Sequence, residues 1–107
     1  MKIQRITTTI KREWLTKIID GSKKTEFREA KPYWRDKLSK ASLPFELRLI
    51  NGMSSNAPEV TVLIGRVTEK DGCFRLHISE VLGWKNWKRP SRINDKIPNT
   101  TTTRAQS

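Results

Sequence analysis

The sequence predicts an α+β fold, a small and partly closed antiparallel β-barrel with one main helix and a short second helix at its side. Two observations predict it. The hydrophobic period changes from strand to helix to strand to short helix, and a run of three strand-like segments then follows. The chain has 107 residues, which is enough for one such domain and not for two of ordinary size.

The first half of the chain supplies the helices. "MKIQRITTTI" is typical of a short strand, and the period becomes helical from Ile10. Trp14 and Leu15 share one helix face with the isoleucines that follow, so we expect Trp14 to belong to the core. Gly21 is placed to end this helix. "KPYWRDKLSK", which starts with a helix-compatible proline, predicts the short second helix.

Between the helices, "KKTEFREA" predicts a strand. Its alternation places Lys24, Glu26 and Arg28 on one face and Thr25 and Phe27 on the other.

The second half of the chain is rich in strand signals. "PFELRLI" and "GCFRLHISEVL" alternate apolar with polar residues, whereas "EVTVLIGRVTE" is apolar on both faces and predicts a central strand. Asp71–Gly72 predicts a hairpin between the last two strands, and residues 51–58 predict a loop. We expect residues 1–88 to form the domain and residues 89–107 to be a basic, low-complexity tail.

The charge is strongly positive and unevenly distributed. The formal net charge is +11, of which residues 1–40 carry +7, residues 41–83 carry −1 and residues 84–107 carry +5. A neutral middle between basic flanks favours a polyanionic partner, nucleic acid above all, because bound cations displace counterions from phosphates. The alternative is a basic protein with no nucleic-acid function.

Other classes of protein are disfavoured. A single cysteine, Cys73, excludes an internal disulfide and a multi-cysteine zinc site, and we expect no metal or other cofactor. His77 alternates with apolar residues, which favours a structural role. The chain has no apolar run long enough to span a membrane and no signal-peptide pattern, so we expect a cytoplasmic protein. The sequence leaves the oligomeric state open.

One motif carries a resemblance to a known family. An apolar helix ending in "IIDG" is followed by "SKKTEFR", which gives Gly21, Lys23, Glu26 and Arg28 in the pattern Gly-x-Lys-x-x-Glu-x-Arg. This pattern resembles the signature of the ASCH domain family, and the strands that follow are similar to the barrel of that family. The resemblance covers roughly residues 3–84.

The resemblance implies a PUA-like β-barrel with a cleft beside the motif, in a superfamily associated with RNA. Some members are small hydrolases that remove the acyl group from N4-acetylcytidine, and others are linked to RNA cleavage. Many are binding modules.

The candidate RNA-binding residues fall into three groups, which are the motif together with Lys24, residues 33–35 of the second helix, and a third group within residues 84–89. Lys23 and Arg28 could contact phosphate, and Glu26 could accept hydrogen bonds from a base edge. The alternatives are a solvated turn lysine at Lys23, and a charge ladder in which Glu26 and Arg28 pair with each other or with cross-strand neighbours. Aromatic and cationic side chains together also suit unpaired bases, although one or more tryptophans could instead close the core. The complete set predicted to bind nucleic acid is Lys23, Lys24, Glu26, Arg28, Tyr33, Trp34, Arg35, Trp84, Lys85, Trp87, Lys88 and Arg89.

Two classes of function follow. The first is an RNA-binding module for single-stranded RNA or a modified base, with DNA as a further candidate partner. The second is a hydrolase in which Lys23 and Glu26 would act as catalytic residues, as a ribonuclease or an N4-acetylcytidine amidohydrolase. For the amidohydrolase, Lys23 matches the family pattern, but Lys24 and Glu26 replace two threonines and remove a catalytic hydroxyl. RNA binding is the function that we predict.

Overall fold

The computed structural model describes residues 3–88 and shows a curled, mixed five-stranded half-barrel with two short helices. The strands are β1 (Arg5–Thr9), β2 (Thr25–Glu29), β3 (Phe45–Ile50), β4 (Glu59–Lys70) and β5 (Cys73–Lys85), and the helices are α1 (Arg12–Ile19) and α2 (Pro32–Ser39). The α+β class and every predicted helix and strand are confirmed. The predicted tail, residues 89–107, lies outside the described residues.

The prediction that the sheet is antiparallel is wrong at one edge. The strand order is β1-β3-β4-β5-β2, and β1 runs parallel to β3 while the other pairs are antiparallel. The chain between β1 and β3 contains both helices and β2, which makes a crossover long enough to return a strand in the same direction. The prediction of an antiparallel sheet came from the hairpin pattern of the last strands, which carries no information about how β1 pairs with β3.

The long hairpin β4–β5 forms the centre of the sheet. It turns at Asp71 and Gly72, whose φ angles are 55° and 74°, as a two-residue turn with two left-handed positions requires. The predicted central strand β4 lies in the middle of the sheet, and its Val60, Val62 and Ile64 have no exposed surface. The curl of this hairpin gives the sheet an inner face, where the core lies, and an outer face.

Helix α1 packs on the inner face through Leu15 and Ile18, which have no exposed surface. Trp14 does not join them: 38% of its surface is exposed, so the prediction that it belongs to the core is wrong. One residue earlier on a helix means a rotation of about 100°, which turns Trp14 away from the sheet. Its ring instead faces the ammonium groups of Lys17 and Lys23, at 5.0 Å and 5.1 Å.

Gly21 lies just after the end of α1 and has a left-handed backbone conformation, which costs free energy for residues that carry a side chain. Its φ is +87°, and two residues later the Lys23 amide donates a hydrogen bond to the Lys17 carbonyl. We expect Gly21→Ala to lower the free energy of unfolding by about 1 to 2 kcal/mol, measured by urea titration. Gly83→Ala is the matched control, because a methyl group there meets no atom within 4 Å and the backbone has no positive φ. Equal effects of the two substitutions would contradict the prediction.

Neither helix in residues 3–88 is long and apolar enough to cross a membrane.

Candidate nucleic-acid interface

The three charged residues of the predicted motif form a buried ion cluster. Glu26 accepts the Arg28 guanidinium at 2.6 Å on one carboxylate oxygen, and the Lys23 ammonium lies 3.6 Å from the other. Only 7% of the Glu26 side chain, 14% of the Lys23 side chain and 18% of the Arg28 side chain are exposed. The pairing of Glu26 with Arg28 is the charge ladder that the sequence analysis gave as the alternative, but these side chains lie inside the protein and not in solvent.

The alternation of β2 was predicted with the correct register, but its charged face is the inner one. Glu26 and Arg28 lie opposite Leu76 and Phe74 of β5, which are buried, whereas Phe27 on the outer face is 52% exposed. β2 is an edge strand beside the open side of the half-barrel. A buried carboxylate is stable there because it forms ion pairs with two cations.

Arg28 also connects the two edges of the sheet. One of its guanidinium nitrogens, Nη2, donates to the Thr9 carbonyl oxygen at 2.7 Å, at the end of β1. No backbone pairing joins β1 to β2 among residues 3–88, so this side chain bridges the open side of the half-barrel. The face of the guanidinium lies 5.2 Å from the centre of the Trp34 ring.

A cleft of about 450 Å³ opens beside the cluster, between the start of α1, β2 and the loop after β3. Trp14 and Phe27, which are 38% and 52% exposed, contribute aromatic surface to it. The Lys23 ammonium lies 5.1 Å from the centre of the first ring and 5.0 Å from the centre of the second. The cleft is lined by Thr9, Ile10, Lys11, Trp14, Glu26, Phe27, Arg28 and Asn51.

The chemistry of the cleft is that of a cationic and aromatic surface. A carboxylate and two aromatic rings surround the Lys23 nitrogen, which makes one ion pair and two cation–π contacts. These contacts hold the ammonium group at the side of the cleft.

The residues that sequence reasoning missed are those that give the cleft its surface. Trp14 was assigned to the core, and Phe27 was placed opposite the charges without a role. Lys11 and Asn51 were not singled out; the Asn51 amide donates to the Ile10 carbonyl at 2.9 Å and fixes the loop against β1. No sequence signal distinguishes these residues, because the cleft joins segments far apart in the chain.

The second predicted group does not lie in the cleft. Trp34 is 8% exposed and packs in the core, as the alternative reading predicted. Tyr33 is exposed on α2, with its ring edge-on to Trp34. Arg35 donates two hydrogen bonds to Glu69, at 2.8 Å and 3.2 Å, and its guanidinium is therefore already paired. Lys24 is exposed outside the cleft lining.

The third group contains one residue that packs against the core and several that are exposed. Trp87 packs partly into the core and donates to the Thr16 hydroxyl at 3.4 Å, so it helps to close the core. Trp84 is 50% exposed and stands edge-on to Trp87, while Lys85 and Lys88 are exposed. Arg89 lies outside the described residues.

A second depression of about 250 Å³ adjoins Trp84 and Lys85, but its charge is mixed. Glu46 and Glu59 both line it. Arg48 donates two hydrogen bonds of 2.8 Å to Glu59, which hold the pKa of that carboxyl below its usual range despite its burial. The two carboxylates offset Arg5 and Lys85, which also line this depression, whereas Lys11 and Arg28 outnumber Glu26 in the lining of the cleft. The cleft beside the ion cluster is therefore the better candidate for an anionic ligand.

Within residues 3–88, no group of three or more His, Cys, Asp or Glu side chains is arranged to hold a metal ion. No protein-family profile matches the sequence, and no curated protein is significantly similar to it.

Proposed function

We propose that this protein is an RNA-binding module, related to ASCH and PUA-like domains, that binds an unpaired base in the cleft beside Lys23, Glu26 and Arg28. The observation that carries the proposal is the cleft itself, in which two half-exposed aromatic rings stand beside a buried cationic cluster. The curled half-barrel with α1 at its side is similar to the partly closed barrel that the family resemblance implies, and this similarity supports the proposal.

The binding energy would come from two sources. Base–aromatic stacking contributes about 1 to 3 kcal/mol per base, and Trp14 and Phe27 provide the rings. The net charge of +11 supplies attraction to phosphates that is independent of sequence and weakens with salt. Lys11, exposed at the rim of the cleft, is placed to contact a phosphate on either side of the bound base.

Trp14→Ala and Phe27→Ala test the proposal. We expect each to weaken binding of a labelled single-stranded RNA by about 5- to 150-fold, which corresponds to the loss of one stacked base. Fluorescence anisotropy between about 50 mM and 200 mM salt would measure the affinity and its salt dependence. These two positions are preferable to Lys23, Glu26 and Arg28, whose substitution also removes buried ion pairs.

Tyr33→Ala is the matched control, because this aromatic ring is 55% exposed but does not line the cleft. If Tyr33→Ala weakens binding as much as Phe27→Ala, the cleft is not the site. If wild-type protein does not bind RNA, the proposed function is wrong. A single-stranded DNA of the same sequence, measured in parallel, separates RNA from DNA as the partner.

The ribonuclease alternative rests on one observation, the 3.6 Å separation of Lys23 and Glu26 beside the cleft. An ammonium and a carboxylate at that distance could serve as an acid–base pair that needs no metal. Gel analysis of the RNA after the binding assay tests it. If the wild-type protein cleaves the RNA and Lys23→Ala does not, the protein is an enzyme and the proposal of a binding module is wrong.

A further inference from the structure

The outer face of β2, β5 and β4 carries positive charges that play no part in the cleft. In the register of the sheet, Arg75 lies between Phe27 of β2 and Thr68 of β4, and His77 lies between Thr25 and Arg66. Directly opposed residues in antiparallel strands have Cβ atoms about 5 Å apart on the same face. Arg66, Arg75 and His77 therefore form one compact group, which we call the outer basic row.

The arginines of the outer basic row have no acidic partner among residues 3–88. Arg12 on α1 likewise has no ion pair among these residues, whereas Arg5, Arg28, Arg35 and Arg48 each form an ion pair with a glutamate. The Nε atom of Arg75, like that of Arg28, is buried and makes no hydrogen bond. A guanidinium that has no carboxylate partner can donate to a phosphate.

The charges around the outer basic row reinforce it. On β4, Lys70 lies two residues beyond Thr68, the register partner of Arg75, and the nearest carboxylate on the outer face of β2, Glu29, is paired with Lys31 at 3.1 Å. Glu80, opposite Leu63, is the next acidic group along β5. The row therefore has a local excess of positive charge in a part of the chain whose overall balance is nearly neutral.

Phe27 joins the outer basic row to the cleft. It lines the cleft, and it is also the register partner of Arg75. We infer that the outer basic row binds the phosphate backbone of the same RNA whose base enters the cleft, with Phe27 at the junction. This inference rests on the proposed function and extends it by assigning a path to the backbone.

Binding along this path has a consequence for His77. The imidazole is half-buried and lies 3.0 Å from the Thr68 hydroxyl; Arg66 faces it from β4, Arg75 lies two residues before it on β5, and Thr25 faces it from β2. Burial, followed by repulsion from the two arginines, lowers the pKa of His77 in the free protein. A phosphate would offset the repulsion and raise this pKa, so RNA binding would take up a proton.

The experiment compares five variants with the wild-type chain: Arg66→Gln, Arg75→Gln, His77→Gln, Lys40→Gln and Trp14→Ala. We expect Arg66→Gln and Arg75→Gln each to weaken binding of a rhodamine-labelled oligouridine by about tenfold, and the salt slope to fall by about 0.7 for each lost phosphate contact. Lys40→Gln removes one exposed charge directly after α2, where Lys40 pairs with Asp36 at 3.3 Å, and is the matched control. Thermal melting of each variant establishes that it is folded.

The pH dependence gives an independent readout. The bases of oligouridine take up no proton between about pH 5 and 8, the range in which histidines titrate. We expect the affinity to rise as the pH falls, by up to about tenfold for each unit by which binding raises the pKa of His77. This dependence should be lost in His77→Gln and retained in Trp14→Ala.

The outcomes separate the two proposals. If Trp14→Ala weakens binding but Arg66→Gln and Arg75→Gln act only as Lys40→Gln does, the inference is overturned and the proposed function stands. If the arginine variants weaken binding but Trp14→Ala does not, the outer basic row is a site and the cleft is not. If no variant differs from Lys40→Gln, both proposals are wrong. If the affinity does not depend on pH, or if its pH dependence is unchanged by His77→Gln, the phosphate contact that we assign near His77 is wrong.

Discussion

Replacing Glu26 with glutamine is expected to lower the free energy of unfolding by about 3 to 5 kcal/mol. Glutamine keeps the shape of the side chain but removes the negative charge. Lys23 and Arg28, both largely buried, would then have no carboxylate to offset their desolvation. Equilibrium unfolding in urea, followed by tryptophan fluorescence, measures the change through the transition midpoint and the m-value.

Glu46→Gln is the matched control for this measurement. Glu46 also pairs with an arginine at 2.8 Å, but the Arg5 side chain is 52% exposed and the Glu46 side chain 24%. Solvent screens such a pair, so its loss should cost only about 0.2 to 1 kcal/mol. If the Glu26 and Glu46 variants lose the same stability, water reaches the cluster and the charges are not held inside the protein.

The ion cluster has one consequence for function. Two cations and one carboxylate leave it with a net positive charge next to the cleft, in surroundings with little water to screen it. The same cluster holds Lys23 between the two aromatic rings and Arg28 across the open edge of the sheet. Glu26 and Arg28 thus line the cleft and position its charge, while Trp14 and Phe27 provide its aromatic surface.

Local patterns were sufficient to predict the elements of this fold. The change of period at Ile10, the glycine after α1 and the Asp71–Gly72 turn each have a physical cause within a few residues. The alternation of β2 likewise placed Glu26 and Arg28 on one face and Phe27 on the other. Side-chain alternation is a property of the strand itself, and it needs no knowledge of the rest of the molecule.

The alternation could not predict which face of β2 would point inward. An exposed phenylalanine and a buried glutamate invert the usual preference, and the buried carboxylate is offset by Arg28 on β2 and by Lys23, which follows α1. Contacts between segments far apart in the chain also determine three other features. These are the parallel pairing of β1, the exposure of Trp14 and the contribution of Asn51 to the cleft. The orientation of Arg75 beside Phe27 follows from the pairing of two strands that are more than forty residues apart in the chain.

Replacing Arg28 with methionine is expected to cost about 3 kcal/mol of unfolding free energy. Methionine can still pack against Trp34, but it cannot donate to Glu26 or to the Thr9 carbonyl. Glu26 would keep only Lys23, at 3.6 Å, and the bridge between β1 and β2 would be lost. Amide hydrogen exchange should therefore accelerate most in those two edge strands, in addition to the shift of the urea midpoint.

A double-mutant cycle separates the ion pair from the bridge to Thr9. Because Glu26 and Arg28 are in direct contact, we expect Glu26→Gln with Arg28→Met to be more stable than the sum of the single effects predicts, by about 1 to 3 kcal/mol. Removing both partners leaves neither a carboxylate nor a guanidinium with an unmatched charge. The carbonyl of Thr9 stays without its donor in both backgrounds that carry methionine, so its loss cancels in the cycle. Additive effects, within about 0.5 kcal/mol, would mean that Arg28 stabilises the half-barrel through Thr9 and Trp34 alone, and that the pairing with Glu26 contributes nothing.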